Sequence, residues 1–154
     1  MSSASADSTP SVADGYTLHH GYPPVPAYMH LRSASGLSPV TAEQAEHVAK
    51  GSWFGCHIVH NDTSTPVAMG RIIGDGGWYF HVADMATLPD HQRKGFGNVI
   101  LHTLLAKIRE KAPPGAYVNL IADKPGWKLY EKHGFQDVAG YQKNPERGMW
   151  QVLK

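Results

Sequence analysis

The sequence predicts an α+β fold in which a mixed, mostly antiparallel β-sheet is flanked by helices on both faces. Strand-like runs separated by short turns occupy residues 53–87. A segment with apolar residues at helical spacing follows over residues 95–111, and another strand-like run covers residues 116–122. This order is typical of an antiparallel meander whose last strand is joined through a helix to one further, parallel strand.

Length and composition favour one domain. The chain has 154 residues, of which 42% are hydrophobic, so it can bury one sizeable core. Its net charge of +1 provides no basic surface for nucleic acid, and no apolar run approaches the ~20 residues that cross a membrane. One cysteine excludes an internal disulfide, and the first fifteen residues lack a secretory pattern. We therefore expect a cytoplasmic protein without nucleic-acid or membrane partners.

The N-terminal third predicts a tail, a strand and two helices. Residues 1–14 are rich in Ser, Ala and Asp, which predicts a flexible tail ahead of a single domain at 15–154. We expect an edge strand at 16–20 and a helix near 28–33. Thr41 and Gln44 have the spacing of a capping box, which predicts a helix that ends at Lys50-Gly51.

The remaining elements follow from residue periodicity and turn signals. Strands are predicted at 53–60, 67–73 and 78–87, with turns at 61–66 and 74–77. A helix at 95–111, a break at 113–115, a strand at 116–122 and a short helix at 127–133 come next. The C-terminal part predicts a final strand pair, 135–139 and 149–153, around a polar loop at 142–148.

The segment Gln92-Arg93-Lys94-Gly95-Phe96-Gly97 lies between a predicted strand and a predicted helix. Glycines let backbone N–H groups approach a ligand closely, and the N-terminus of a helix favours phosphate. A P-loop would need Gly-Lys-Ser/Thr, and a dinucleotide-binding fingerprint would need a third glycine. The segment therefore predicts a phosphate site of another kind.

Two motifs identify a family resemblance. The Gln-x-x-Gly-x-Gly pattern of residues 92–97 resembles motif A of the GNAT acyl-CoA N-acyltransferases, and Leu-Tyr-Glu-Lys-His-Gly-Phe at 129–135 resembles their motif B. Residues 69–77 resemble a variant found in small single-domain members, which does not identify a substrate. The resemblance covers about residues 41–154. It implies the GNAT fold and direct transfer of an acetyl group from acetyl-CoA to an amine, in a ternary complex and without a metal.

The resemblance also implies which residues contact coenzyme A. Main chain at Met85, Ala86 and Thr87 is expected to bind the pantetheine arm and the thioester oxygen. The pyrophosphate is expected to lie against residues of motif A, and the rest of the cofactor against residues of the motif B region. These residues are Gln92, Arg93, Lys94, Gly95, Phe96, Gly97 and Asn98, and then Asp123, Trp127, Tyr130 and Lys132. Asp123 stands where many relatives have Asn, and an ionised carboxylate accepts hydrogen bonds but donates none.

Tyr130 is the candidate general acid, because the tyrosine of motif B lies near the sulfur in the family. Alternatively, Tyr130 is simply a core aromatic residue. Asp84 is the leading candidate base, since strand alternation places it with Phe80, Val82 and Ala86, and apolar surroundings raise a carboxyl pKa. The alternative is that Asp84 only pairs with Arg71 or accepts backbone hydrogen bonds. His81, on the opposite face by the same alternation, or a water chain could replace it.

Other chemistries find little support. The chain has ten histidines, but His57 and His60 would point to opposite faces of a strand, and no His-Glu-x-x-His or Cys-x-x-Cys is present. Cys56, within an apolar strand, is expected to be a buried small hydrophobe rather than an acyl nucleophile. No Gly-x-Ser-x-Gly elbow occurs.

The acceptor is expected to be a small amine, such as an amino sugar like glucosamine, an aralkylamine or a polyamine. Aromatic faces bind sugars and cations, and the variable N-terminal and C-terminal segments supply several aromatic side chains. Those segments contain Tyr22, Tyr28, His30, Arg32, Trp53, Tyr141 and Trp150. The selected substrate-binding candidates are Tyr28, Trp53, Arg71, Trp78, His81 and Asp84. A protein lysine or N-terminus is the second choice of acceptor, a homodimer is expected, and a non-catalytic acyl-CoA-binding module is the alternative function.

Overall fold

The computed structural model of the chain describes residues 9–141, 148–149 and 151–154. Five strands form one sheet in the order β1-β2-β3-β4-β5. The strands are β1 (Tyr16–His20), β2 (Phe54–His60), β3 (Thr65–Gly74), β4 (Tyr79–Thr87) and β5 (Tyr117–Asn119). The helices are α1 (Val25–Ala34), α2 (Ala42–Gly51), α3 (Phe96–Lys111), α4 (Trp127–Lys132) and α5 (Val138–Tyr141).

The sheet is mixed, as the sequence predicts. Strands β1 to β4 pair as an antiparallel meander. Strand β5 begins beside the start of β4, since the N–H of Tyr117 donates to the carbonyl of Trp78 at 2.8 Å. Helix α3 connects β4 to β5, so the two strands run in the same direction, as in other crossover connections. The predicted α+β class is therefore confirmed.

The first four strands and first three helices agree closely with the sequence prediction. Thr41 and Gln44 form the predicted capping box, with reciprocal hydrogen bonds of 3.1 Å and 2.9 Å at the start of α2. Helix α1 begins after Pro24 and buries Tyr28 and Leu31. The strand predicted at 116–122 is shorter, because only Tyr117–Asn119 is extended in the sheet.

Helices cover both faces of the meander. Helix α3 packs against β2, β3 and β4, and helix α1 packs against β3 and β4 on the other face. On the α3 face, the position of Gly70 has no room for a side chain, because a Cβ there would lie 2.6 Å from Ile100 of α3. The α3 residues that are buried in this contact include Val99, Ile100, Leu101, Leu104 and Ile108.

The predicted strand at 135–139 is wrong. Residues 138–141 form helix α5 instead, and the side chain of Asp137 accepts a hydrogen bond from the N–H of Ala139 at 2.9 Å. An Asp before a helical turn caps its free N–H groups, and this local bond competes with strand formation. The other predicted strand, 149–153, is not a strand at 149 and 151–153. Residue 150 and most of the predicted loop between the two strands lie outside the described residues.

The residues group into two compact units, 1–118 and 119–154, and each is described by itself. The single domain at 15–154 stays a prediction, and residues 1–8 of the predicted tail lie outside the described residues. Within the described part of the chain, no helix combines the length and apolar character needed to cross a membrane.

Candidate functional site

A short connection joins β4 to α3 and contains the predicted phosphate site. The chain leaves β4 through Leu88, whose N–H donates to the carbonyl of Val67 at 2.8 Å, and makes one 3-10 turn at Pro89–His91. The Gln92 side chain then reaches back to the carbonyl of Thr87 at 3.4 Å. Arg93 and Gly95 both adopt left-handed backbone conformations, with φ of 63° and 77°. These two reversals turn the chain sharply into α3.

Helix α3 starts without a side-chain cap. Gly95 occupies the N-cap position, and the first helical hydrogen bond runs from the N–H of Val99 to the carbonyl of Gly95 at 3.1 Å. The preceding N–H groups of the first turn cannot bond within the helix, and together with the helix dipole they attract an anion. The ring of Phe96 is buried, so this residue offers its main chain, while Arg93 and Lys94 are exposed. Asn98 also lies in this first turn.

A cluster of aromatic and histidine side chains packs against the β4–α3 connection. The hydroxyl of Tyr16 on β1 lies 2.8 Å from Nδ1 of His91, in the 3-10 turn. The Tyr16 ring also packs edge-on against Phe96 at 4.7 Å between centroids, and His60 of β2 contacts both Tyr16 and His91. Sequence reasoning missed this cluster, since Tyr16 and His91 are 75 residues apart. The sequence offered only an edge strand predicted at 16–20, which contains Tyr16.

Substituting Tyr16→Phe should therefore weaken the loop rather than the core. The ring contacts remain, but the bond to His91 is lost, and one such bond contributes about 1 kcal/mol to the free energy of unfolding. We expect that loss in denaturant unfolding, together with a several-fold rise in the Kd for coenzyme A by calorimetry. Tyr117→Phe, on an exposed ring of β5, is the matched control. An unchanged Kd for Tyr16→Phe would show that the loop does not depend on this bond.

Strand β4 contains a β-bulge close to its C-terminal end. Met69 pairs with Ala86 and Arg71 pairs with Ala83, so three steps along β4 match two steps along β3. The extra residue changes the alternation of side chains. Asp84, whose φ is 57°, therefore lies on the face of Arg71 and not on that of Val82 and Phe80. The predicted grouping of Asp84 with Phe80 and Val82 is wrong for this reason, whereas Ala86, which pairs with Met69, does share its face. His81, which was expected on the opposite face, also lies on the Arg71 face.

The Asp84 carboxylate is paired. Its Oδ2 accepts a hydrogen bond of 2.7 Å from Nε of Arg71, and its Oδ1 accepts one of 2.6 Å from Nη1 of Arg32. Burial by itself raises the pKa of this carboxyl, but Arg71, the hydrogen bond from Tyr28 and Arg32 outweigh burial and hold the pKa below its ordinary value. The predicted upward shift is wrong, and the alternative that Asp84 pairs with Arg71 is confirmed.

The motif B region belongs to the second unit. Helix α4 contains Tyr130, whose ring lies 6.1 Å from that of Phe135 and nearly perpendicular to it. Gly126 leaves room for this ring, since a Cβ there would lie 2.8 Å from Cε2 of Tyr130. Burial, and then the charge of Asp123, raise the pKa of the Tyr130 phenol. Tyr130 is therefore a neutral phenol, able to donate a proton, throughout the physiological range.

Two other motif B candidates lie on or before α4. The indole of Trp127 donates to the carbonyl of Ala122 at 3.2 Å, while half of this side chain stays exposed. Lys132 is exposed at the last position of the helix.

Sequence comparison supplies the deciding observation. Residues 52–137 match the acetyltransferase (GNAT) domain family. The chain belongs to the GNAT acetyltransferase family. Members of this family use acetyl-CoA as their acetyl donor, so the protein is an acetyl-CoA-dependent acetyltransferase. Comparison with curated protein sequences finds no match.

Solved structures agree with the GNAT assignment. A probable acetyltransferase from methicillin-resistant Staphylococcus aureus is 32% identical, with a TM-score of 0.78 over 90% of this chain and 99% of that one. A GNAT family acetyltransferase from Streptococcus pneumoniae is 22% identical, with a TM-score of 0.73 over 90% of this chain and 98% of that one. Glucosamine-6-phosphate N-acetyltransferase from Arabidopsis thaliana is 16% identical, with a TM-score of 0.63 over 90% and 99%.

The connection before α3 fits the acetyl donor of a GNAT enzyme. An uncapped first helical turn, a left-handed Gly95 and the exposed cations Arg93 and Lys94 together suit a pyrophosphate group. Strand β5 has three residues and starts beside the start of β4, which has nine. The C-terminal part of β4, with Met85, Ala86 and Thr87, therefore extends beyond the length of β5.

The six substrate-binding candidates occupy different parts of the first unit. Tyr28, Arg71 and Asp84 lie together, joined by Tyr22 and Arg32. Trp53 packs elsewhere, against Phe80 and the β3–β4 turn, with a centroid distance of 4.9 Å to Phe80. Trp78 is more than half exposed and stacks on Tyr117 at 5.6 Å. His81 is half-buried on the Arg71 face, His30 is exposed, and the side chains of Tyr141 and Trp150 lie outside the described residues.

Cys56 has the surroundings that the sequence suggested. Cys56 is buried on the α3 face, and burial raises the pKa of its thiol to about 12. A thiol with this pKa stays protonated, so Cys56 is confirmed as a buried hydrophobe. Among the described residues, no three His, Cys, Asp or Glu side chains are grouped as metal ligands.

Proposed function

We propose that the protein transfers the acetyl group of acetyl-CoA directly to a primary amine of a small molecule. The observation that supports this is the succession of the β4 bulge, the left-handed turn at Arg93 and Gly95, and the uncapped start of α3. In the proposal, the main chain of this arm contacts the pantetheine and the start of α3 binds the pyrophosphate. A buried, protonated Cys56 favours direct transfer over a covalent enzyme intermediate.

Acetyl-CoA supplies an activated thioester when it is bound. In the proposed reaction, main-chain N–H groups at residues 85–87 polarise the thioester carbonyl, as in an oxyanion hole. The phenol of Tyr130 protonates the departing thiolate. Its raised pKa keeps the phenol protonated until that step. A primary amine is mostly protonated at pH 7, so a group must accept its proton before attack. Since the pKa of Asp84 is low, we assign this step to His81 or a water chain.

We infer a small amine as the acceptor, such as an amino sugar, an aralkylamine or a polyamine. Support comes from the half-buried ring of Tyr22, which packs on the buried ring of Tyr28 beside Arg71, on the sheet face opposite α3. The Arabidopsis glucosamine-6-phosphate enzyme is similar in fold alone and does not select glucosamine for this protein. A protein lysine or N-terminus, and binding of acyl-CoA without catalysis, are the alternatives. A homodimer in the cytosol remains part of the proposal.

Release of coenzyme A thiol from acetyl-CoA, measured across a panel of amines, tests the proposal. The panel contains glucosamine, glucosamine 6-phosphate, phenethylamine, spermidine and a lysine peptide. We expect acceptor-dependent release with at least one small amine and none with the peptide. Activity confined to the peptide would contradict the small-molecule assignment. Tight binding of coenzyme A without turnover of any amine would instead support a non-catalytic binding module. The dimer is tested separately, and a monomer mass in solution at micromolar concentration would contradict it.

A further inference from the structure

The Asp84 backbone has a conformation that needs external support. Its φ of 57° lies in the left-handed region, which side-chain-bearing residues rarely adopt, and it occurs within a strand. The bulge between the pairs Met69–Ala86 and Arg71–Ala83 leaves this stretch of β4 out of register with β3. Such a conformation persists only where surrounding contacts hold it.

Four donors hold the Asp84 side chain. Arg71 on β3 and Arg32 on α1 donate at 2.7 Å and 2.6 Å. The hydroxyls of Tyr28 on α1 and Tyr22 before α1 donate at 2.8 Å and 3.0 Å. Only 8% of the Asp84 side chain is exposed, and the two arginines are 13% and 14% exposed. Oδ2 accepts three of these hydrogen bonds and Oδ1 accepts the fourth, from Arg32, so both oxygens of the charged carboxylate are held by protein donors.

The donors are themselves anchored in the helical layer. Arg32 also bonds the carbonyl of Ser38, through Nε at 2.8 Å and Nη2 at 2.5 Å. Nη1 of Arg71 lies 3.3 Å from the hydroxyl of Ser52, which in turn donates to Val48 near the end of α2. One carboxylate thus connects the bulge of β4 with α1, with β3 and with the end of α2.

We propose that Asp84 is a positioning residue for acetyl transfer: its carboxylate holds the β4 bulge against α1 and β3, and so sets the direction of the main chain at residues 85–87. The inference rests on the proposed function, in which those residues contact the thioester. A general base takes up a proton at a carboxylate oxygen, whereas both oxygens of Asp84 already accept hydrogen bonds from donors on neighbouring elements. Asp84 then acts through the main chain that follows it, without touching the substrate.

Three variants test the role: Asp84→Asn, Arg71→Met and the double variant. If Asp84 positions the bulge, each single change lowers kcat at least tenfold and speeds amide hydrogen exchange at residues 83–87 at least tenfold. The double variant is then within twofold of the single ones, because both changes remove the same connection. The shape of the pH–rate profile stays as in the unmodified protein. Asp75→Asn is the matched control, since this carboxylate accepts three backbone N–H groups in the neighbouring turn.

A base would behave differently. Asp84→Asn would then remove the acid limb of the pH–rate profile, and Arg71→Met would move that limb to higher pH. Amide hydrogen exchange at residues 83–87 would stay unchanged, and this result overturns the proposal.

If Asp84→Asn fails to fold, Tyr28→Phe provides a second test, because it removes one donor and keeps the charge of Asp84. It should lower kcat at least threefold and speed amide hydrogen exchange at residues 83–87. Unchanged kcat there also overturns the proposal. If the unmodified protein acetylates no amine, the proposed function fails. The positioning role is then still decided by two measurements, amide hydrogen exchange at residues 83–87 and the affinity of the variants for an acetyl-CoA thioether analogue.

Discussion

Replacing Gly95 with valine is expected to weaken coenzyme A binding at least tenfold. Gly95 has a φ of 77°, and a β-branched residue adopts this conformation only at a cost of about 1–2 kcal/mol. In the variant, we expect residue 95 to adopt a negative φ instead, because that conformation avoids the strain. The first N–H groups of α3 then no longer point at the ligand. A tenfold change in Kd corresponds to about 1.4 kcal/mol. Calorimetric titration with coenzyme A measures it.

Gly115 supplies the matched control for this experiment. It has a φ of 88°, it is exposed, and, as at Gly95, a Cβ there would meet nothing within 4 Å. Gly115→Val therefore introduces the same backbone strain in the turn that follows α3, away from the loop. We expect a similar loss of stability for both variants, but a change in Kd below twofold for Gly115→Val. Equal affinities for the two variants would contradict a phosphate site at the start of α3.

Substituting Tyr130→Phe is expected to lower kcat at least tenfold while the Kd for acetyl-CoA stays within twofold. The ring keeps its edge contact with Phe135, and only the hydroxyl is lost. A tenfold loss corresponds to about 1.4 kcal/mol of barrier, a modest contribution for a general acid. Steady-state kinetics with the best amine of the panel, together with thermal unfolding, measures both quantities. Tyr117→Phe serves as the control, and unchanged turnover would remove Tyr130 from the mechanism.

The pH dependence gives this prediction a second readout. Burial and the charge of Asp123 raise the pKa of Tyr130 above the ordinary tyrosine pKa of about 10. The phenol therefore stays protonated to a higher pH than a free tyrosine does. Activity that depends on this proton is then present at neutral pH and is lost as the pH rises through the raised pKa. Asp123→Asn removes one cause of the shift and should move the alkaline limb to lower pH. A limb that does not move would indicate that another group is the acid.

Local sequence signals predicted most of the first unit. The capping box at Thr41 and the alternating strands of the meander depend on neighbours within a few residues, and the structure contains them where expected. The C-terminal strand at 135–139 failed because the Asp137 side chain caps a helical turn there. Residue composition favoured a strand, but a single local hydrogen bond favoured the helix.

Asp84 shows the limit of pattern reasoning at the candidate site. Strand alternation placed it among apolar residues, but one extra residue in β4 moves it to the opposite face. Its partners Tyr22 and Arg32 lie 62 and 52 residues away in sequence, so only the packing of α1 on the sheet brings them to the carboxylate. The charge state of Asp84 therefore depends on contacts that no local pattern records.

The amino-acid sequence by itself determined the family and the fold class and predicted a phosphate site at 92–98, because these depend on glycines, strand runs and helix starts that are close together in the chain. Only the tertiary structure decided that Asp84 is an ion-paired carboxylate and that Tyr16 supports the loop through His91. Both depend on strand register and on helix packing, which join residues that are far apart in sequence.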